Sequence, residues 1–471
     1  MRKSVLSFVG LVLSVQASAR CGAQTRVVTP LTRKLSLLTS QRALPSFSPA
    51  HRSSSVQNTR NPSRSSVVNT DHMEDEIRRW IAQKRFEFER KGESPGDDEM
   101  PEVPALIFDI DGVFKMGGRY ADFGAEALRK VIEAGLPYVL MTNGGGGRTE
   151  DEYAAEINSK LYSVEQNKLT KKRIDYVGED QMVLSYTPFN TDFDHLKDKS
   201  VLVVGSPRCE DLAKHYGFKK AMHLTRYSCK HPLMNPFGPS GCEKDDCVVE
   251  TGPEVWDENF EAVLVFTDPS NFFEGIQLIT DVLLSSRPGE VEFEPDRRIP
   301  VVFSNPDLLW KTQYPHARFG QGAFRLSLEA CYRARLEQLG LRPEEVEERL
   351  GDFVQYGKPE ITQFSHSRRA AMKQANDMGV KISHYYMVGD NPLSDIQGAV
   401  NMNELAERKG TEGWSGMLVK TGIYREGEDT KGAEVITENV LDAVEHVLQT
   451  HSDDIEHSKR HRDLKKRYAT S

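Results

Sequence analysis

Long apolar runs are missing from this chain. About 20 consecutive apolar residues are needed to cross a bilayer. The longest candidate, residues 5–15, is broken by Ser7, Gly10 and Ser14, so no integral membrane segment is expected. Cysteine is scarce too: six in 471 residues exclude a disulfide-built scaffold. Acid is absent from one stretch altogether. Residues 1–70 carry ten Lys or Arg and no Asp or Glu, and removing that +10 from the formal net charge of −9 leaves −19 on residues 71–471. So acidic a body is a poor partner for nucleic acid, and none is expected.

The basic segment therefore needs a different explanation. Arg-rich, Ser-rich and acid-free composition is that of an organelle transit peptide, and a mitochondrial (matrix) destination is the first expectation. A second reading stays open. Arg2 and Lys3 precede the apolar residues 5–15, and Ala17-Ser18-Ala19 fits a secretory cleavage site, which suits a secretory route or a complex plastid. Residues 71–102 read as a helix followed by a linker. Asn69 or Thr70 can cap that helix, and Ile77, Trp80, Ile81 and Lys84 share a face.

A chain of this length is expected to hold more than one core. Residues 105–108 form an apolar run that meets Asp109 and Asp111, with Gly112 to turn the chain. Residues 136–141 form a second run, ending in Thr142 and Asn143, and a helix lies between the two. This strand–helix–strand spacing predicts a βαβ unit in a parallel sheet. Gly144–Gly147 lacks both the dinucleotide spacing and the Lys-Ser/Thr ending of a nucleotide loop.

A second α/β region is expected over residues 161–348, with strands at 201–204, 262–266 and 300–303. The first region then resumes over 349–450. Within it, 353–356 lead to Gly357-Lys358-Pro359 and 385–388 to Gly389-Asp390, with Asp395 five residues on. Residues 451–471 read as a charged, mobile tail. The fold class expected is α/β: a doubly wound parallel-sheet core over 103–160 and 349–450 with an inserted α/β cap.

Strand ends of a parallel sheet share one edge, so residues distant in sequence can meet there. Four carboxylates gathered at one edge repel unless cations offset them. Oxygen-only ligands suit Mg²⁺, and Lys358 adds a monovalent counter-charge. A carboxylate nucleophile, an acid, a hydroxyl and cations together suit phosphoryl transfer.

The ordered set Asp-x-Asp-Gly-Val, Thr-Asn-Gly, Gly-Lys-Pro and Gly-Asp-x-x-x-x-Asp resembles the haloacid dehalogenase superfamily. With Ser304-Asn305-Pro306-Asp307 and the insert, it is most similar to the NagD-like class IIA branch. Gly144–Gly147 and residues 389–395 resemble the cat eye syndrome critical region hydrolase-like subgroup. Phe123-Gly124-Ala125 departs from the Pro-Gly-Ala of many relatives, a difference in flap packing.

The resemblance implies that Asp109 attacks phosphorus and that Asp111 serves as acid and then base. Thr142, Asn143 and Gly144 hold the phosphoryl group, and Lys358 steadies the charge. Mg²⁺ is held by Asp109, the Asp111 carbonyl and Asp390, with Asp395 in support. It further implies a phosphatase of a small phosphorylated metabolite, glycerol- or sugar-phosphate-like, linked to organellar phospholipid precursors.

Two alternatives stay open: a catalytically silent organellar metabolite-binding or assembly protein, and a phosphoryl-transferring mutase. Self-association through the cap is a further expectation. Arg208, Arg226, Lys230 and His231 are candidate substrate contacts. Cys229, His231, Cys242 and Cys247 lack paired Cys-x-x-Cys knuckles, which favours free thiols over zinc. A reporter fused to residues 1–70 is expected to enter an organelle; diffuse cytosolic signal under the microscope defeats both targeting readings.

Overall fold

The apolar run ahead of Asp109 becomes strand β1 (Glu102–Phe108), buried at every residue after Glu102. The structure, a computed structural model, describes residues 100–164, 174–237, 258–310, 314 and 316–469. The presequence, the helix expected before residue 94, Cys242 and Cys247 lie outside them. After β1 comes an antiparallel hairpin, β2 (Lys115–Met116) and β3 (Arg119–Tyr120). Helix Asp122–Ala134 follows and ends at Gly135, whose φ of 69° is the left-handed cap that glycine adopts without penalty. Next are the fully buried β4 (Tyr138–Met141), helix Glu150–Val164 and β5 (Met182–Val183).

The second region supplies β6 (Ser200–Val204), β7 (Lys220–His223), β8 (Ala262–Val265) and β9 (Val301–Phe303). A small hairpin, β10 (Leu309–Trp310) and β11 (Arg318–Phe319), precedes β12 (Phe353–Gln355). The chain closes with β13 (Lys381–Gly389), β14 (Gly413–Val419) and β15 (Val435–Thr437).

Two parallel sheets result. The first has the order β15-β14-β13-β1-β4-β5. The second has the order β12-β9-β8-β6-β7. Along β1, Leu106 and Phe108 join one apolar cluster with Leu128, Val131 and Val444. Ala105 and Ile107 join another with Phe364, Ala371 and Met402. Alternate residues thus face helices on opposite sides, the doubly wound α/β arrangement expected. Successive strands run outward from β1 in both directions, so β1 sits at the switch point where such sheets open a crevice.

Three expectations need correction. Phe353–Gln355 is an edge strand of the second sheet, paired with β9, and does not belong to the first. Three residues cannot carry a pattern that distinguishes two buried parallel sheets. Residues 452–469, expected as a mobile tail, form helix Ser452–Ala469. Ile455 and Ser458 on this helix are buried. Arg462 donates to the carbonyls of Gly135 and Ala134 at 3.1 and 3.2 Å, so it caps the end of helix Asp122–Ala134. Cys229, expected as a free thiol, is disulfide-bonded.

Phe108 is fully buried and meets Phe114 edge to face at 5.4 Å between ring centres. Phe108→Ala is expected to cost about 3–5 kcal/mol and Phe108→Leu less than about 1.5 kcal/mol, read from urea denaturation midpoints.

Candidate active site

The end of β1 turns under tight constraint. Asp109 donates its backbone N–H to Val388 at 2.9 Å, which ties the strand tip to β13. Gly112 adopts φ 90°, and a Cβ there would lie 2.2 Å from Asp390 Oδ2. A Cβ on Gly422 would lie 1.8 Å from the same oxygen. The Asp390 carboxylate therefore sits between two bare backbones, where it accepts the Ile423 N–H at 2.6 Å. The wide turn Pro392–Ile396 after β13 brings Asp395 back beneath it, and Asp395 accepts the Asn391 N–H at 3.0 Å.

Lys358 arrives from the second sheet. Its ammonium donates to Asp109 Oδ1 at 2.5 Å and to Asp395 Oδ1 at 2.6 Å, and all three groups are buried. Carboxylate oxygens of Asp109, Asp390 and Asp395 converge within 4.8 Å of one another. Burial pushes the Asp109 carboxyl well above the usual carboxylate range, against the pull of Lys358. Burial and the neighbouring Asp395 lift Asp390 to about 7. Burial also works against the charged form of Lys358, but Asp109 and Asp395 overcome it and hold the ammonium above its ordinary value. Three hard oxygen donors sharing one buried cation form a set that a small divalent ion fits.

The other expected residues lie around this cluster. Asp111 stands at the mouth with its side chain 43% exposed, 3.2 Å from Lys115. Its carboxylate is outside the tight triplet. Thr142 Oγ1 accepts the Gly144 N–H at 2.9 Å, so the hydroxyl proton remains free to donate. Asn143 is committed elsewhere. Its Oδ1 accepts the Lys358 N–H at 2.7 Å, and its Nδ2 donates to the Lys358 carbonyl at 3.0 Å and to Asp307 at 3.2 Å. It therefore fixes the lysine-bearing loop.

A cavity of about 540 Å³ opens above the cluster. All eight expected site residues line it: Asp109, Asp111, Thr142, Asn143, Gly144, Lys358, Asp390 and Asp395. The four cap contacts expected from charge do not. Arg208 pairs with Glu152 at 2.7 Å, Arg226 with Glu210 at 2.9 Å, Lys230 with Glu258, and His231 with Glu258 at 3.2 Å. Local carboxylates claim each of them. The second sheet instead lines the cavity with Asp268, Asn305, Asp307, Leu309 and Trp310. Arg148, missed in the sequence, also reaches it from the glycine run, held by Glu156 at 2.9 Å. Asp268 and Asp307 carried a legible signal, because both follow apolar parallel strands as Asp109 and Asp390 do.

Residues 106–219 match the haloacid dehalogenase-like hydrolase family and residues 355–447 match a second, HAD-hydrolase-like family. The chain is 33% identical over 381 residues to the mitochondrial hydrolase YKR070W of Saccharomyces cerevisiae, covering 74% of this chain and 96% of that one. It belongs to the haloacid dehalogenase-like hydrolases. It is also 29% identical over 375 residues to a Schizosaccharomyces pombe protein described as a cardiolipin synthase (CMP-forming) / mitochondrial hydrolase fusion. That match covers 78% of this chain and 56% of the fusion. A p-nitrophenyl phosphatase from Archaeoglobus fulgidus aligns with a TM-score of 0.45 at 16% identity, over 74% of this chain and all of that one.

A carboxyl whose folded pKa lies above its unfolded value favours folding when protonated. That contribution is full at low pH and is lost as pH rises, here from about 4 to about 7 for Asp390. With metal chelated, the melting temperature of Asp390→Asn relative to the parent is expected to climb across that window. A flat difference between the two proteins contradicts the strained carboxylate.

Proposed function

We propose that this hydrolase is a Mg²⁺-dependent phosphatase of a small organic phosphate monoester, working through an aspartyl-phosphate. The observation that carries this reading is the Asp109–Lys358–Asp395 cluster, with Asp390 beside it and Asp111 at the cavity mouth. A buried ammonium holds one Asp109 oxygen and leaves the other to attack phosphorus. The phosphorus–oxygen bond to the alcohol breaks as the bond to Asp109 forms, and Asp111, open to solvent, gives its proton to the leaving oxygen. The same Asp111 carboxylate then takes a proton from the water that attacks phosphorus, which releases phosphate and restores Asp109. Thr142 donates its hydroxyl to a phosphoryl oxygen, and Lys358 offsets the charge that grows there. Asp109, Asp390 and the Asp111 carbonyl, supported by Asp395, would hold Mg²⁺, which supplies Lewis-acid stabilisation to the phosphoryl group when bound.

The matrix of the mitochondrion is the proposed location. The acid-free basic composition of residues 1–70 supports it, as do the two relatives, both named as mitochondrial hydrolases. The relative joined to a cardiolipin synthase supports a substrate among phospholipid precursors, glycerol-phosphate-like in its alcohol.

Purified protein is expected to release phosphate from an aryl phosphate with Mg²⁺ and to lose turnover with chelator. Asp109→Asn should abolish turnover, and Asp111→Asn should lower kcat by about 100- to 10,000-fold. Full activity in Asp109→Asn rules out the aspartyl-phosphate, and a parent protein inactive on a broad phosphate-ester panel favours a binding role.

A further inference from the structure

The two sides of the cavity differ in charge. Three cations line it, and each already has a carboxylate partner: Lys115 with Asp111 at 3.2 Å, Arg148 with Glu156 at 2.9 Å, and Lys358 between Asp109 and Asp395. The wall supplied after β8 and β9 holds Asp268, Asn305, Asp307, Leu309 and Trp310, and among the described residues no Lys, Arg or His lines it. Whatever the phosphoryl group is attached to must meet this wall.

Its geometry is specific. A Cβ added to Gly320 would lie 3.5 Å from Asp268 Oδ1 and 3.5 Å from the Trp310 ring carbon Cδ1. The acid oxygen and the indole edge thus converge over a residue with no side chain. The Trp310 Nε1–H is already donated to the Phe319 carbonyl at 3.2 Å, which fixes the ring and leaves its face and edge for contact. Asp307 stands beside them, one oxygen held by Asn143 at 3.2 Å. Asp307 is half-buried and Asp268 is exposed, and both line the cavity with carboxylate oxygens that can accept hydrogen bonds.

We propose that Asp268, Trp310 and Asp307 form a leaving-group subsite. It takes an alcohol bearing hydroxyl or ammonium donors and rejects one bearing a second anion. A hydroxyl or ammonium hydrogen-bonds to the carboxylates while its carbon skeleton lies on the indole. A carboxylate or second phosphate in the same place faces two acids with no unpaired cation among the described lining residues, a like-charge contact at short range. The inference rests on the phosphomonoesterase reading above and narrows its substrate class to polyol or amino-alcohol phosphates.

The test is titration calorimetry with Mg²⁺ on the full chain carrying Asp109→Asn, with glycerol phosphate, phosphoethanolamine, phosphoglycerate and inorganic phosphate as probes. Glycerol phosphate or phosphoethanolamine is expected to bind about tenfold or more tightly than phosphoglycerate, and the order of the first two separates hydroxyl from ammonium recognition. Adding Asp268→Asn should shrink that preference to within about threefold, and Asp268→Lys should reverse it, with inorganic phosphate affinity changed less than about twofold. Competition against aryl phosphate turnover by protein with Asp109 intact should give the same ranking. Equal affinity for phosphoglycerate and glycerol phosphate overturns the subsite, as does an Asp268→Asn loss shared equally by inorganic phosphate. Aryl phosphate turnover without charge preference defeats the subsite alone. The preference without phosphate release from any ester supports the subsite and defeats the phosphatase.

Discussion

A buried ammonium between two buried carboxylates is the constraint on which the rest of the site depends. Lys358 meets Asp109 and Asp395 with all three out of water. Removing such ions from water costs several kcal/mol apiece, recovered only with close geometry and satisfied partners. Here the partners come from β1, from the turn after β13 and from a loop leaving the second sheet. No neighbouring pair in sequence could produce the contact, so both sheets must be in place for it to form. With Asp390 added, negative charge still exceeds positive, and burial first, then the neighbouring carboxylates, keep the Asp109 and Asp390 carboxyls raised. Such a set of oxygens suits a divalent cation.

Much of this was legible in the sequence, for a physical reason. Strands buried on both faces read as short apolar runs, and the residue after each run is placed by the sheet edge. Asp109, Thr142 and Asp390 can thus be gathered from the sequence pattern. The same rule, applied to residues 262–266, reaches Asp268, and Asp307 already closes the motif that follows residues 301–303. Arg208, Arg226 and Lys230 are bound by glutamates close by in the fold, and such pairings leave no mark on a one-dimensional reading. Lys358 follows a strand of the second sheet and not of the first, a distinction the sequence hides because Phe353–Gln355 is too short to declare its neighbours. Helix Ser452–Ala469 was missed because its composition is dominated by charge, and only Ile455, Ser458 and Arg462 reveal what it anchors.

The cavity combines two opposite electrostatic tasks. On the proposed reading, its floor receives a dianionic phosphoryl group with a lysine, a threonine hydroxyl and a metal-ready carboxylate set. Its far wall has two acids and an indole. Attraction for the phosphoryl group is therefore local to the floor, and the remainder of the substrate is sorted by hydrogen bonding and repulsion. Separation of this kind lets the chemistry of phosphate release stay constant while the second sheet sets which alcohols are accepted.

Asn143 gives the two sheets a shared fate. One amide joins the main chain at Lys358 to the carboxylate of Asp307, and β12 ends three residues before the lysine. Lys358 is in effect suspended from the second sheet while its charge is anchored in the first. Any drift of one sheet from the other pulls on the ammonium before it reaches the nucleophile. Lys358 thus ties the two sheets together, and on the proposed reading the nucleophile is fully supported only when the wall that sorts the alcohol is seated.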